Sequence, residues 1–153
     1  MPRPIIVALV AAAVAVAAGC GGSSATTVEE LGRSVVSARD RVDFALARIT
    51  EAQSKDDLLE RMDEAAGAID GAASDLDDVG APERLDADLG ALVGSLRQLA
   101  FDVQATADQI RQPGFSDFLA GTKGLSFESW VAVNRALEAL DAQGIEVAPL
   151  ARH

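Results

Sequence analysis

Apolar residues recur at alternating steps of three and four along most of this chain, and that spacing decides what it can fold into. It places one apolar face along an α-helix, whereas a strand would need alternation at every second residue. Thr27 and Glu30 form a capping box just ahead of the first such run. We therefore predict a first helix over about residues 27–53. Its seam consists of Val28, Leu31, Val35, Ala38, Val42, Ala45 and Ile49.

A second helix is predicted to start at the polar stretch 54–57. Its alanine-rich seam consists of Leu59, Met62, Ala66, Ile69, Ala73 and Leu76. Gly67 and Gly71 each lower the helix propensity by about 1 kcal/mol, so packing must hold this helix together. Gly80 is expected to end it, and Pro82 is expected in the first turn of the next helix.

The third helix has the clearest pattern. Its seam consists of Leu85, Leu89, Leu92, Leu96, Leu99, Val103, Thr106 and Ile110. Acidic residues crowd its beginning and Arg111 lies near its end, which suits the helix dipole. Pro113–Gly114 should terminate it.

A fourth, shorter helix is predicted after the irregular stretch 115–125, with Ser126 as its cap and its end near Gln143. Its apolar stripe consists of Phe127, Trp130, Val133, Leu137 and Leu140. Gly144 is a natural C-terminal stop. The remaining residues, 145–153, are predicted to form an extended tail. The tail residues expected to pack are Ile145, Val147 and Leu150.

Short connections favour antiparallel neighbours. We therefore predict an all-α protein, an antiparallel bundle of about four helices, three long and one shorter. A chain of 153 residues suits one such domain with a single core. The predicted organisation is a signal peptide over residues 1–19, a lipidated cysteine with a flexible tether over 20–26, and the bundle with its tail over 27–153.

The signal peptide is predicted from the first twenty residues. Arg3 gives a positive start, and an unbroken apolar run of 14 residues extends from Ile5 to Ala18. At about 1.5 Å per residue this run covers about 21 Å, which is short of the ~30 Å hydrocarbon core of a bilayer. Its length therefore fits an export signal rather than a spanning helix. Cys20 is the only cysteine, so no disulfide forms within the chain.

The sequence Ala17-Ala18-Gly19-Cys20 resembles a bacterial lipobox, although Leu or Val is commoner where Ala17 stands. The resemblance implies cleavage before Cys20 and lipid attachment to that cysteine. A modified lipoprotein cysteine carries at least two acyl chains, which give firm membrane attachment. The Gly/Ser-rich stretch 21–25 would then hold the domain close to the outer face of the cell membrane. An ordinary signal peptide followed by an incidental cysteine is the alternative.

The segment 139–150 and the abundance of Ala, Arg and Asp resemble the small helical lipoproteins of high-GC actinobacteria. That class has no common activity, so the resemblance implies a cellular location and a helical fold but no particular reaction.

The charge excludes one class of partner. The chain has 24 acidic and 13 basic residues, and all the acids lie after Cys20. Such a domain repels nucleic acid and anionic headgroups. The excess of acids could serve a basic partner or a cation, or could simply keep the surface soluble.

No catalytic, cofactor-binding or metal-binding residue is predicted, and we expect no enzyme. The stretch Asp75–Gly80 resembles the start of an EF-hand loop, but Val79 and Asp86 stand where calcium ligands of other types are needed. A helix end with solvated carboxylates is the simpler interpretation. His153 is the only histidine, and one histidine cannot build a zinc, haem or di-iron centre.

The segment Phe115–Trp130 holds the only tryptophan and three of the five phenylalanines, Phe115, Phe118 and Phe127. Concentrated aromatic residues plug the end of a bundle or form a surface for a partner. The sequence favours a non-enzymatic interaction module that docks on another envelope protein. The alternative is a carrier that binds an apolar molecule or lipid between its helices. The oligomeric state stays open, because heptad seams pair between chains as well as within one.

Overall fold

A computed structural model describes residues 26–112 and 127–152. These ranges contain four helices and no strand: α1 is Val28–Thr50, α2 is Lys55–Val79, α3 is Glu83–Arg111 and α4 is Glu128–Ala142. The extensive contacts join α1 to α2, α2 to α3, and α3 to α4. The predicted all-α antiparallel bundle of three long helices and one shorter helix is confirmed.

The capping box at the start of α1 is confirmed. The Thr27 hydroxyl accepts a hydrogen bond from the Glu30 N–H at 3.1 Å, and the Thr27 N–H donates to the Glu30 carboxylate at 2.9 Å. The Thr27 hydroxyl also donates to the Glu30 carboxylate, at 2.9 Å. The backbone N–H of Thr27 first, and its hydroxyl second, lower the pKa of the Glu30 carboxyl group. The helix ends at Thr50, three residues before the predicted end, because the chain must turn before Ser54 caps α2.

The core follows the predicted seams, with Val28, Phe127 and Trp130 half-buried at its ends and with a neighbouring residue buried instead at two positions. Leu58 is fully buried, whereas the predicted Leu59 is only half-buried. Ala107 is fully buried in place of Thr106, whose hydroxyl donates to the backbone carbonyl of Asp102 at 2.8 Å. The steps 103–107–110 and 103–106–110 fit the seam equally well, and the wholly apolar alanine takes the buried position while Thr106 is half-buried. The sequence rule alone could not separate them.

The glycines of α2 lie away from the core. A Cβ atom added to Gly67 or Gly71 would meet nothing within 4 Å, so both positions are open. The opposite face of α2 carries buried alanines, which let neighbouring backbones approach closely; they are Ala65, Ala66, Ala72 and Ala73. Packing through this face holds α2 despite its glycines, as the sequence predicted.

The turn between α2 and α3 uses both predicted residues, one of them in a different role. Gly80 ends α2 with a φ of 67°, which favours glycine. Pro82 is the N-cap of α3 rather than a residue of its first turn, and its carbonyl accepts from the Leu85 N–H at 2.7 Å.

The end of α4 is a Schellman motif. Gly144 has a φ of 93°, its N–H donates to the Asp141 carbonyl at 2.9 Å, and the Ile145 N–H donates to the Leu140 carbonyl at 3.0 Å. Gly144 is therefore the helix stop that the sequence predicted. At the other end Phe127 is the N-cap and makes no side-chain capping bond, while Ser126 lies outside the described residues.

Thr27→Ala should lower the free energy of unfolding by about 1 kcal/mol, because it leaves a first-turn N–H of α1 without its acceptor. Urea denaturation at neutral pH measures this loss. Thr50→Ala, at the exposed last residue of α1, is the matched control and should cost less. Equal losses in the two variants would contradict a specific capping role.

Candidate functional site

The predicted lipid-attachment residue, Cys20, lies outside the described residues, as do the predicted signal peptide and residues 20–25 of the tether. The first described residue, Thr26, donates through its hydroxyl to the Val79 carbonyl at 2.6 Å. The chain therefore enters the bundle beside the C-terminal end of α2. This end of the bundle also holds the start of α1 and the end of α4, because neighbouring helices are antiparallel.

Only part of the aromatic segment is described. Phe127 and Trp130 are half-buried and pack against the core, whereas Phe115 and Phe118 lie outside the described residues. At Phe127 and Trp130 the packing favours the core-plug interpretation. A partner surface elsewhere in the segment stays a prediction.

The EF-hand-like carboxylates point apart. Asp75 and Asp77 lie on α2, which remains helical to Val79, so the stretch does not form a calcium loop. Arg41 pairs with Asp75 at 2.7 Å on the α1 side, and Arg97 pairs with Asp77 at 2.8 Å on the α3 side. Across residues 26–112 and 127–152 no group of three acidic, histidine or cysteine side chains is placed to hold a metal ion.

An open cavity of about 390 Å³ lies between α1 and α2. Its lining is Glu30, Arg33, Ser34, Ser37, Ala38, Arg41, Asp75, Leu76 and Val79. Charged and hydroxyl groups dominate this lining, and the Arg41–Asp75 ion pair crosses it. A carrier of apolar ligands needs an enclosed apolar site, and this cavity does not provide one.

The most elaborate arrangement is at the α1–α4 edge, where the tail fills the groove between the two helices. Ile145 is 1% exposed and Leu150 is 3% exposed, while Val147 is half-buried against the core. The prediction that the tail packs through these residues is confirmed. Gly32 of α1 lies beside Ile145, and a Cβ atom added to this glycine would be 3.9 Å from the Ile145 Cδ1, at ordinary van der Waals distance.

The tail runs parallel to α1. Ile145 lies beside Gly32, and the Ala151 N–H donates to Asp43 at 2.7 Å. The eleven residue steps of α1 from Gly32 to Asp43 cover about 16 Å, and the six extended steps of the tail from Ile145 to Ala151 cover about 20 Å. The two segments therefore have similar lengths and can lie side by side. The tail therefore closes the edge of the bundle along half the length of α1.

Side chains rather than a neighbouring strand hold the tail backbone. Its hydrogen bonds are Val147 N–H to Asp141 at 3.3 Å, Leu150 N–H to Asn134 at 2.7 Å, Ala151 N–H to Asp43 at 2.7 Å, and Arg39 to the Pro149 carbonyl at 2.8 Å. We call the surface formed by these α1 and α4 side chains, together with Gly32 and Trp130, the tail groove. It recognises an extended main chain through both its donors and its acceptors.

Two N–H donors in the tail groove have no hydrogen-bond partner among the described residues. They are the Arg39 Nε and the Asn134 Nδ2. Asn134 is only 7% exposed, and its amide orientation is fixed because the Leu150 N–H needs the amide oxygen as its acceptor. Leaving a buried donor unsatisfied costs about 1–3 kcal/mol, so this groove carries unused hydrogen-bonding capacity.

Sequence reasoning missed Arg39 and Asn134. Asn134 follows Val133 on the apolar side of α4, and a polar residue at such a position is the signal that could have been followed. The sequence pattern does not distinguish Arg39 as a groove residue, because several other arginines lie beside the α1 seam.

A second polar contact locks α4 onto α3. Ser129 is 6% exposed and donates to the Asp102 carboxylate at 2.6 Å. The bond fixes the rotation of α4 near its start, and thereby fixes which side of α4 faces the tail. Asn134 is positioned for the tail by this packing.

The far end of the bundle, opposite Thr26, is held by the turn between α1 and α2. The Arg61 side chain donates to Asp57 at 2.6 Å and to the Arg48 carbonyl at 3.0 Å. The hydrogen bond from Arg61, followed by that from the Gln53 N–H, lowers the pKa of Asp57. These contacts tie the first turns of α2 to the last turn of α1.

No protein-family model, curated protein or solved structure matches the chain.

Arg152→Ala should change the emission of Trp130, because the Arg152 guanidinium lies 5.4 Å from the centre of that ring. A cation over an aromatic face at an exposed site contributes about 0.5–1 kcal/mol, so the far-UV circular dichroism should stay the same. Steady-state fluorescence measures the effect, and Trp130 is the only tryptophan. Arg135→Ala removes an exposed arginine elsewhere on α4 and should leave the emission unchanged. The same change in both variants would place the tail away from Trp130.

Proposed function

We propose that this protein is a membrane-anchored extracytoplasmic lipoprotein that acts as a non-enzymatic protein-interaction module of the cell envelope. The observation that carries the anchor is the position of the only cysteine, Cys20, directly after a 14-residue apolar run and the small residues Ala18 and Gly19. Lipid on that cysteine would supply the two or more acyl chains that firm attachment needs.

The described fold supports an arrangement in which the Thr26 end of the bundle lies nearest the membrane. Six residue steps separate Cys20 from Thr26, and at about 3.5 Å each they reach about 20 Å. The nearby acids at this end would be repelled by anionic headgroups, so the bundle would stand clear of the surface. They include Glu29, Glu30, Asp77 and Asp78.

None of the helices within residues 26–112 and 127–152 has the length and apolar character to cross a membrane. In this proposal the covalent lipid is the membrane attachment.

Cys20→Ala should abolish the anchor. The natively expressed wild type should have the mass of residues 20–153 plus lipid and should fractionate with membranes, whereas the variant should be unprocessed or released. Intact-mass spectrometry and membrane fractionation measure both. Ser23→Ala, three residues further along, is the control and should behave as the wild type. A wild-type protein that is soluble and carries no lipid would contradict the proposal, and Cys20 would then be a free or intermolecular thiol.

Two exposed aromatic side chains support docking to a partner. Phe44 on α1 and Phe101 on α3 are each 66% exposed. Both lie on the faces of their helices that point away from the core, where their removal would not disturb the packing. Aromatic residues are enriched in protein interfaces, and acidic residues are depleted there. The outward face of α2, with Glu60, Glu64 and Asp78, lacks this character.

A photo-crosslinking amino acid at Phe44 or Phe101 in the anchored protein should give an adduct of discrete mass with an envelope protein. The same amino acid at the exposed Glu60 of α2 is the matched control and should give none. Gel analysis after irradiation of intact cells, followed by mass spectrometry of the adduct, provides the measurement. Adducts of equal yield at all three positions would show random collision rather than docking.

The apolar-ligand or lipid carrier is not favoured by any described feature. The cavity between α1 and α2 is open and lined by charged and hydroxyl groups. Apolar ligands are held in enclosed pockets with mostly apolar walls. The interaction module is therefore the proposal.

A further inference from the structure

The tail groove is built to hold an extended main chain, yet the tail does not use all of it. Its acceptors, on Asp43, Asn134 and Asp141, take three backbone N–H groups of the tail, and Arg39 donates to the Pro149 carbonyl. The Arg39 Nε and the Asn134 Nδ2 remain unpaired and buried beside the same two tail residues, Pro149 and Leu150. Within residues 26–112 and 127–152, no atom serves as an acceptor for these two N–H groups.

The tail can leave the groove without unfolding a helix. The Schellman motif at Gly144 ends α4 and keeps the Ile145 N–H on the Leu140 carbonyl, so the helix end stays intact. Beyond that point no strand within the described ranges pairs with residues 146–152, and their described hydrogen bonds all go to side chains. Release would therefore break these four described hydrogen bonds and the contact between Arg152 and Trp130, and it would expose two apolar side chains, Val147 and Leu150.

We propose that the tail groove is a docking site for an extended segment of a partner protein, and that the tail occupies it in cis until that segment displaces it. This inference rests on the proposed function as an interaction module. The segment would carry apolar side chains where the tail has Val147 and Leu150. It would also carry a carboxylate or amide acceptor beside the second of these, within reach of Arg39 and Asn134.

A partner segment fits these observations better than a second copy of the chain. Exchange of tails between two copies would reproduce the same four hydrogen bonds and leave the same two N–H groups unpaired. A different sequence with one added acceptor would satisfy them. Arg39 favours a carboxylate in particular, because hydrogen bonds between ionised partners are the stronger kind.

The experiment titrates the full chain with synthetic peptides and follows Trp130 emission, since Arg152 lies over that ring. The parent peptide has the sequence of residues 144–152. Two further peptides carry aspartate in place of Pro149 or Ala151, the residues on either side of Leu150. In the wild type the tail competes at an effective concentration of the order of millimolar, so binding in trans should be weak.

Leu150→Asp removes the buried apolar contact of the tail and should open the groove. This variant should bind the parent peptide at least tenfold more tightly than the wild type does. At least one aspartate peptide should bind at least tenfold more tightly than the parent peptide. Ala148→Asp adds the same charge at an exposed tail residue and should behave as the wild type. Ala151→Pro removes the N–H that bonds to Asp43 and restricts the backbone of the preceding Leu150, so it should also strengthen peptide binding while leaving the helices intact.

Three results would overturn the proposal. The first is a folded Leu150→Asp variant that shows no saturable binding of any peptide up to about 1 mM, the tail's own effective concentration. The second is equal affinity for the parent and aspartate peptides, which would mean that the two N–H groups are satisfied without a partner's acceptor. The third is a dimer, seen by sedimentation, in which crosslinks join the tail of one copy to the groove of the other.

Failure of this proposal can be told apart from failure of the proposed function. A discrete adduct at Phe44 or Phe101 without peptide binding would overturn the groove proposal alone. Peptide binding by a protein that is neither lipidated nor found in membranes would instead overturn the anchored module while leaving the groove in place.

Discussion

The close approach of α2 to its neighbours is the contact on which the rest of the bundle depends. Its core face is rich in alanine, so α1 and α3 can pack tightly on either side of it. Short side chains bury little area each, and the larger residues of α1 and α3 must supply the rest. The leucines and isoleucines that do so are fully buried, among them Leu31, Ile49, Leu92 and Leu99. The packing of α1, α2 and α3 against one another therefore does not depend on α4.

The fourth helix is too short to complete the bundle alone. It has 15 residues against 23 in α1, or about 22 Å against about 34 Å. An open edge would leave the apolar flank of α1 in water. The tail covers it with Ile145, Val147 and Leu150, and the buried side chain of Asn134 supplies the acceptor that an extended backbone needs. An irregular segment thus performs the packing role of half a helix.

The charged residues determine the surface potential of the bundle more than they contribute to its folding stability. The ion pairs between helices, such as Arg41–Asp75 and Arg97–Asp77, are about half exposed, and pairs of this kind contribute little. These pairs bring opposite charges together on the flanks of α2, where it meets α1 and α3. On the outward face of α2, Glu64 pairs with Arg48 at 3.7 Å, whereas the exposed Glu60 and Asp78 make no ion pair within the described residues. Part of the surplus negative charge therefore lies on this outward face.

The amino-acid sequence predicted the helices well because each apolar seam is long and is bounded by strong signals, such as the Thr27 capping box and Gly144. It was less accurate where two steps fit equally, as at Thr106 and Ala107, since a spacing rule cannot choose between neighbouring positions. The tail was predicted to pack, but its partners were not, because Arg39 and Asn134 meet it only after α1 and α4 are brought together. Contacts between distant segments leave no local pattern. The prediction of lipid attachment at Cys20 rests on the resemblance of residues 17–20 to a lipobox, and not on the helical pattern.

The contact between Arg39 and Pro149 joins residues 110 positions apart. During synthesis from the N-terminal side, α1 to α3 can associate as soon as they emerge, since their contacts are between neighbours in sequence. The apolar edge of α1, however, is covered only after the tail has been synthesised, more than a hundred residues later. A chain interrupted before residue 145 would hold most of its helical structure and still present an uncovered apolar edge. Such an edge is the kind of feature that proteases and chaperones detect, so closure by the tail marks the passage from a helical intermediate to the finished domain.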